Sequence, residues 1–124
     1  MTALAAAKHI NNDPVRQLED DLRRAAENPA RFPRTTRLLT AGAPQQAKKM
    51  IEEAAELAIE AMRDDREAAV REAADLLYNM VVLLDGMDIR FEHVCQELDR
   101  RRNAYGIAAK QQKNGSTAAD ALPS

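Results

Sequence analysis

Glu72-Ala73-Ala74-Asp75-Leu76-Leu77-Tyr78-Asn79-Met80-Val81-Val82-Leu83-Leu84 is the stretch on which the fold turns. From Leu76 to Leu84 only Asn79 and the Tyr78 hydroxyl are polar, so a helix here is apolar nearly all round and belongs in an interior. Yet Glu72, Asp75 and Asn79, at roughly 100° per residue, fall within about 60° of one another. A single polar line therefore runs into the buried segment.

The helix carrying this line extends from about Glu67 to Asp85 and ends at Gly86. Upstream, Arg63-Asp64-Asp65-Arg66 is predicted to be a tight turn, preceded by a helix from about Pro44 to Met62. So short a loop leaves the two helices antiparallel and adjacent. Further out, Asp13-Pro14 has the form of an N-cap followed by proline at the first helical position, and Val15, Leu18, Leu22 and Ala25 or Ala26 recur at helical spacing as far as Asn28-Pro29. Residues 29–44 carry Pro29, Pro33, Gly42 and Pro44 and are expected to form a connection with one or two helical turns around Thr35 to Ala41. A last helix from about Ile89 to Tyr105 would put Phe91, Val94, Cys95 and Leu98 on one side and Arg100-Arg101-Arg102 in its final turns, near the negative end of the dipole.

Composition agrees with helices throughout. Of 124 residues 24 are Ala, aromatic residues make up only 3%, and Gly and Pro number 4 and 5, too few β-branched, aromatic and turn residues for a sheet protein. The prediction is an all-α antiparallel bundle of about four to five helices over residues 13–105, with flexible segments at 1–12 and 106–124. A net charge of -2 supplies no broad electropositive field for a nucleic-acid backbone. No apolar run approaches the roughly 20 residues that span a bilayer, and residues 1–12 lack the features of a signal peptide. The single Cys95, expected as a small core residue, forms no internal disulfide, and a cytoplasmic location follows.

On the helix from 44 to 62, Ala47, Met50, Ile51, Ala54, Ala58 and Ala61 form one stripe, with Glu52, Glu53, Glu56 and Glu60 roughly opposite. Alone, that acidic side is a solvated face. Against the polar line of the neighbouring helix it becomes a candidate site, because withdrawing like-charged carboxylates from water costs several kcal/mol each and no Lys or Arg lies on that line to compensate. A divalent cation would compensate. Carboxylates at i and i+3 on facing helices, Glu53 with Glu56 and Glu72 with Asp75, suit hard cations such as Mg²⁺ or Mn²⁺. A di-iron bundle would need Glu-x-x-His, but the residues three before His9 and His93 are Ala6 and Arg90. Phosphate-binding P-loop, dinucleotide, zinc-protease and serine-hydrolase signatures are all absent from the sequence. An acidic site with no nucleophile of its own points to attack by water on a substrate with negative oxygens, and phosphoanhydrides are such substrates.

Glu53-x-x-Glu56, fifteen intervening residues and Glu72-x-x-Asp75 resemble the signature of the all-α nucleoside-triphosphate pyrophosphatases, the MazG-like superfamily. Within it, Leu38 to Arg102 is similar to the phosphoribosyl-ATP pyrophosphohydrolases, through Ala47 to Glu56, Glu72 to Asn79, Val94 to Arg101 and the trailing Tyr105-Gly106-Ile107-Ala108. The resemblance implies Mg²⁺-aided hydrolysis of phosphoribosyl-ATP to phosphoribosyl-AMP and pyrophosphate, a step of histidine biosynthesis, with Glu53, Glu56, Glu72 and Asp75 as metal ligands. Glu52 would orient or deprotonate the attacking water, and Lys48, Lys49 and Asn79 would bind substrate. Three places differ from the family's usual residues: Ile51 stands for Gly, Asn79 for His, and Arg34-Thr35-Thr36 for Ser-aromatic-Thr. The alternatives are a MazG-like enzyme for another nucleoside triphosphate and a non-catalytic helical dimerisation module. Under each, an apolar helix in so small a chain implies a homodimer sharing its core.

Overall fold

The computed structural model describes residues 13–115, with side-chain surroundings from Asp13 to Tyr105. Among the described residues five α-helices follow one another: α1 (Pro14–Glu27), α2 (Pro33–Ala41), α3 (Ala43–Met62), α4 (Arg66–Asp85) and α5 (Phe91–Gly115), with a 3-10 turn over Pro29–Arg31 between the first two. No strand occurs among the described residues, so the chain is all-α as its composition predicts. Of the segments expected to be flexible, 1–12, including His9, and 116–124 lie outside the described residues, whereas 106–115 are helical. Two compact units meet at the Phe91–Glu92 boundary.

In the first unit the helix ends follow from local chemistry. Asp13 accepts a hydrogen bond from the Val15 N–H at 2.9 Å with Pro14 at the first helical position, which satisfies one of the N–H groups a helix start leaves open. At the hairpin, Asp64 takes the left-handed conformation at φ 60° and Asp65 caps α4 by accepting from the Ala68 N–H at 3.1 Å. Among the described residues, α3 and α4 make the most extensive helix–helix interface. A single residue, Gly42, joins α2 to α3 at φ 92° and ψ 162°, a conformation that residues with a Cβ rarely adopt. Because Gly42 makes that corner alone, α2 is a nine-residue helix starting at Pro33 rather than the one or two turns expected.

The core lies where the apolar run of α4 meets α1. Leu22, Val81 and Val82 are at most 2% exposed, and Val15, Leu18, Leu38, Leu39, Leu77, Tyr78 and Phe91 pack against them. Two buried polar side chains tie the surrounding elements down. The Gln46 amide of α3 donates to the Leu38 and Leu39 carbonyls at 3.0 and 3.3 Å, in the last turn of α2, where carbonyls lack intrahelical partners. Glu19 of α1 accepts from the Phe91 N–H at 2.8 Å and pairs with the Arg90 guanidinium at 3.3 Å.

The apolar stripe of α3 behaves differently from expectation. Ala47 and Met50 are half-buried, but Ile51, Ala54, Ala58 and Ala61 are exposed, whereas Glu53 is buried and Glu60 half-buried. The carboxylate face turns toward α4 and the stripe turns out.

In the second unit, α5 continues to Gly115, past Tyr105. Arg100 and Arg101 therefore sit inside the helix, away from the dipole end, and are held by Glu97: Arg100 donates at 2.7 and 2.9 Å, Arg101 at 3.0 Å. These bonds lower the Glu97 carboxyl to about 2. Cys95 is exposed, not a core residue, and Leu98 on the same side is exposed as well.

Gln46→Met keeps the side-chain volume but leaves the Leu38 and Leu39 carbonyls without their donor, so stability should fall by about 1–3 kcal/mol. Urea denaturation with an unchanged midpoint would show that the α2–α3 joint does not depend on this amide.

Candidate active site

Three helix faces, each spaced at helical intervals, converge on one cavity of about 590 Å³. α3 contributes Gln45, Lys49 and Glu53, α4 contributes Asp75, Tyr78 and Asn79, and α2 contributes Arg34, Arg37, Leu38 and Ala41. One turn from Glu53 on α3 lies Glu56, and one turn before Asp75 on α4 lies Glu72. One carboxylate oxygen from each of Glu53, Glu56 and Glu72 lies within 4.8 Å of the other two. Glu53 is 8% exposed, Glu72 is half-buried and Glu56 is exposed.

Three oxygen atoms in this region are covered and have no hydrogen-bond partner among the described residues: Glu53 Oε1, Glu72 Oε1 and Asn79 Oδ1. The Asn79 amide donates through Nδ2 to the Asp75 carbonyl at 2.8 Å, which fixes its orientation and leaves the oxygen over. All three orphans are acceptors when the carboxylates are ionised, so the chemistry of this set suits a donor or a cation. The nearby ammonium of Lys49 meets Glu53 through the other oxygen, Oε2, at 3.7 Å. Oxygen ligands at this spacing on two rigid helices fit a hard divalent cation, and Glu53, Glu56 and Glu72 are the residues that could hold it.

Burial and crowding show in the acidity of Glu72. Loss of water contact, then hydrogen bonds to Glu56 and Glu53 once Glu72 carries a proton, then the charges of those two groups push the Glu72 carboxyl up from 4.5 to about 7. A bound cation would reverse the balance by favouring the ionised form.

The residues singled out by sequence do not all meet. Asp75 is exposed and lines the cavity with Glu53 and Asn79, but it lies outside the close group of Glu53, Glu56 and Glu72. Glu52 and Lys48 are exposed and belong to neither the carboxylate group nor the cavity wall, since each points away from the face that carries Lys49 and Glu53. Lys49 and Asn79 are in the wall. Sequence reasoning singles out Arg34 only as a departure from the family's usual residues, and it misses the rest of the α2 wall with Arg37, together with Gln45 and Tyr78. Arg34, Arg37, Leu38 and Ala41 stand at i, i+3, i+4 and i+7, a helical face that becomes visible once α2 is taken to begin at Pro33.

Fold and site together define an all-α protein whose helical hairpin carries an acidic centre able to hold a metal beside a ligand-sized cavity, an arrangement consistent with the MazG-like fold. The chain belongs to the phosphoribosyl-ATP pyrophosphohydrolase family, whose sequence profile matches residues 15–102. It is 48% identical over 81 residues to phosphoribosyl-ATP pyrophosphatase 2 of Rhodopseudomonas palustris, covering 65% of this chain and 62% of that one. The protein of the same name from Bradyrhizobium diazoefficiens is 47% identical, over 65% of this chain and 60% of its own length. The phosphoribosyl-ATP pyrophosphatase of Pyrobaculum arsenaticum is 41% identical over 90 residues, 71% of this chain and 94% of that one. The chain thus spans less than two thirds of the first two relatives and nearly all of the third.

The raised acidity constant of Glu72 sets a pH dependence with a definite sign. Between pH 4.5 and about 7 the folded chain keeps a proton on Glu72 that the unfolded chain has released, so without metal stability falls as pH rises through that window. Melting temperatures of the metal-free protein should decline across this range, and Glu72→Gln should remove the decline. The increase in melting temperature caused by Mn²⁺ should grow over the same range, because the ion competes with the proton. A metal-free profile that rises with pH would contradict the clustering of these carboxyls.

Proposed function

We propose that this chain hydrolyses phosphoribosyl-ATP to phosphoribosyl-AMP and pyrophosphate, the activity for which its relatives are named, with Mg²⁺ held by Glu53, Glu56, Glu72 and Asp75. The observation that carries this reading is the set of covered, partnerless oxygens on Glu53, Glu72 and Asn79 beside a cavity with cationic residues in its wall. When bound, Mg²⁺ supplies charge neutralisation at the phosphate oxygens and lowers the pKa of water. Water adds to the α-phosphorus, the bond to the oxygen bridging the α- and β-phosphorus atoms breaks, and pyrophosphate leaves. The chain's own residues position the reactants: the Asn79 oxygen accepts from a substrate hydroxyl or N–H, and the Lys49 ammonium offers a point charge to a phosphate. In this scheme Glu52 orients the water, a role to be tested by Glu52→Gln because its side chain is exposed outside the cavity wall.

A second reading, hydrolysis of another nucleoside triphosphate, is favoured by Asn79 and Arg34, cavity residues at positions where this sequence differs from the family's usual ones. A panel of nucleotides including phosphoribosyl-ATP, with pyrophosphate release as readout, separates the two. Glu53→Gln and Asp75→Asn should each lower turnover by about 10²-fold or more while leaving the helical content intact. No turnover on the panel and no stabilisation by Mn²⁺ would leave a helical dimerisation module.

The proposal includes a homodimer. On α3, Ile51, Ile59 and Met62 share one face and are 63%, 47% and 80% exposed, with Val70 of α4 at 66%. A second copy covering this face would remove apolar surface from water, whereas an isolated chain leaves it wet. Light scattering should give twice the mass of the chain, and Ile59→Asp with Val70→Asp should give the single mass. A monomeric wild type would refute this part. The cytoplasm is the compartment proposed, in keeping with the lone free Cys95.

A further inference from the structure

We propose that Arg34 and Arg37 of α2 bind the phosphate chain of the substrate, and that α2 is the electropositive wall of the cavity whose acidic part holds the cation. The inference rests on the phosphoanhydride chemistry proposed above and extends it to residues that the metal scheme leaves unused. A charge balance motivates it. One divalent ion offsets two carboxylate charges, so a centre of Glu53, Glu56, Glu72 and Asp75 stays negative, and a polyphosphate brings several further negative charges to it. Such a ligand is repelled unless cations of the protein meet the phosphates that lie beyond the metal.

The cations in the cavity wall are Arg34, Arg37 and Lys49. Lys49 is drawn to Glu53 at 3.7 Å. The two guanidinium groups make no ion pair or side-chain hydrogen bond with any described residue. Arg23, Arg24, Arg63, Arg90 and Arg100, by contrast, are each held by a carboxylate. Arg34 and Arg37 are therefore placed by their helix and not by a salt bridge that would cancel their charge. Their helix is itself fixed at both ends. The Thr35 and Tyr78 hydroxyls, 3.5 Å apart, set the first turn of α2 against the segment of α4 that bears Asp75 and Asn79. The buried Gln46 amide grips the Leu38 and Leu39 carbonyls at the other end. Spacing at i and i+3 puts both forks on one face, and the planar guanidinium matches two phosphate oxygens at once.

The test uses the full chain with Arg34→Gln, Arg37→Gln and the double substitution. Phosphoribosyl-AMP formation gives kcat and KM, and calorimetry with inorganic tripolyphosphate gives the affinity for the phosphate chain alone. Each single substitution should raise KM and weaken tripolyphosphate binding by about tenfold, and in the double variant the salt dependence of both should become shallower. The Mn²⁺-induced rise in melting temperature should be unchanged, which separates loss of phosphate contacts from damage to the metal centre or the fold. KM and tripolyphosphate affinity within about twofold of wild type in the double variant would overturn the assignment, as would failure of the wild type to bind tripolyphosphate. If the wild type binds tripolyphosphate but does not turn over phosphoribosyl-ATP, the proposed reaction fails while the binding assignment stands, provided the double variant loses that binding.

Discussion

Like charges gathered at the edge of a packed helix pair govern this molecule. Glu53, Glu56 and Glu72 bring an oxygen each within 4.8 Å of the others, and Glu72 answers by holding its proton up to about pH 7. Such an arrangement is unfavourable in itself and persists because the remainder of the hairpin over-determines it. Downstream of Asp75 on α4, Val81 and Val82 are almost entirely buried against Leu22, and their apolar contacts fix the axis and rotation of the helix. With that rotation set, Glu72, Asp75 and Asn79 have nowhere to point but toward the carboxylates of α3 and the cavity. The stabilising part of the hairpin and the acidic part are consecutive turns of the same helix.

The buried polar residues of the first unit divide into two kinds. Glu19 and Gln46 are engaged by the protein itself: the Glu19 oxygens meet the Phe91 N–H and the Arg90 guanidinium, and the Gln46 Nε2 meets the Leu38 and Leu39 carbonyls. Both stand where one element must be joined to another. Glu53 and Asn79 are just as buried, yet each leaves an oxygen without a partner, and both border the cavity. A polar group sealed away with its bonds made is explained by architecture. One sealed away with a bond missing is explained by what enters from outside, and that difference separates joint from site without reference to any relative.

Much of this was legible in the sequence because it is written in local chemistry. Asp13-Pro14, the Asp64-Asp65 turn and the apolar run of α4, broken only by Asn79 and the Tyr78 hydroxyl, each specify their structure within a few residues, and the Glu72-x-x-Asp75 spacing marks a face whatever lies around it. The illegible parts depend on tertiary context. That α2 is a full helix depends on Gly42 turning the corner in one residue; local composition marks Arg34 as connection and Arg37 as part of a turn or two of helix, and does not reveal that the two arginines share one helical face. Asp75 and Glu56 are equally spaced partners in the sequence, but only Glu56 joins the close group, because side-chain direction and the axial offset of two helices are not contained in either helix alone. Local composition places Arg100 and Arg101 at a helix end because it does not reveal how far the helix runs; Glu97, three and four residues earlier, is their partner.

The most instructive departure is the orientation of α3. An amphipathic helix is ordinarily assigned by turning its apolar stripe inward, an inference that presumes one interior and one solvent-facing side. α3 has two sides that are not destined for bulk water. Its carboxylate side looks onto α4, where burial is tolerable because oxygen ligands can be neutralised by a cation, and its apolar side, with Ile51, Ile59 and Met62, is left facing out of the chain. Both faces are then unsatisfied in a lone, metal-free polypeptide, one electrostatically and the other hydrophobically. Periodicity alone cannot rank them, because it records that two faces differ and not which neighbour each will meet. What ranks them is the identity of α4: a helix apolar nearly all round, yet bearing Glu72 and Asn79 on the line that faces α3, supplies a matching partner for the acidic side and leaves the alanine and isoleucine stripe to the outside.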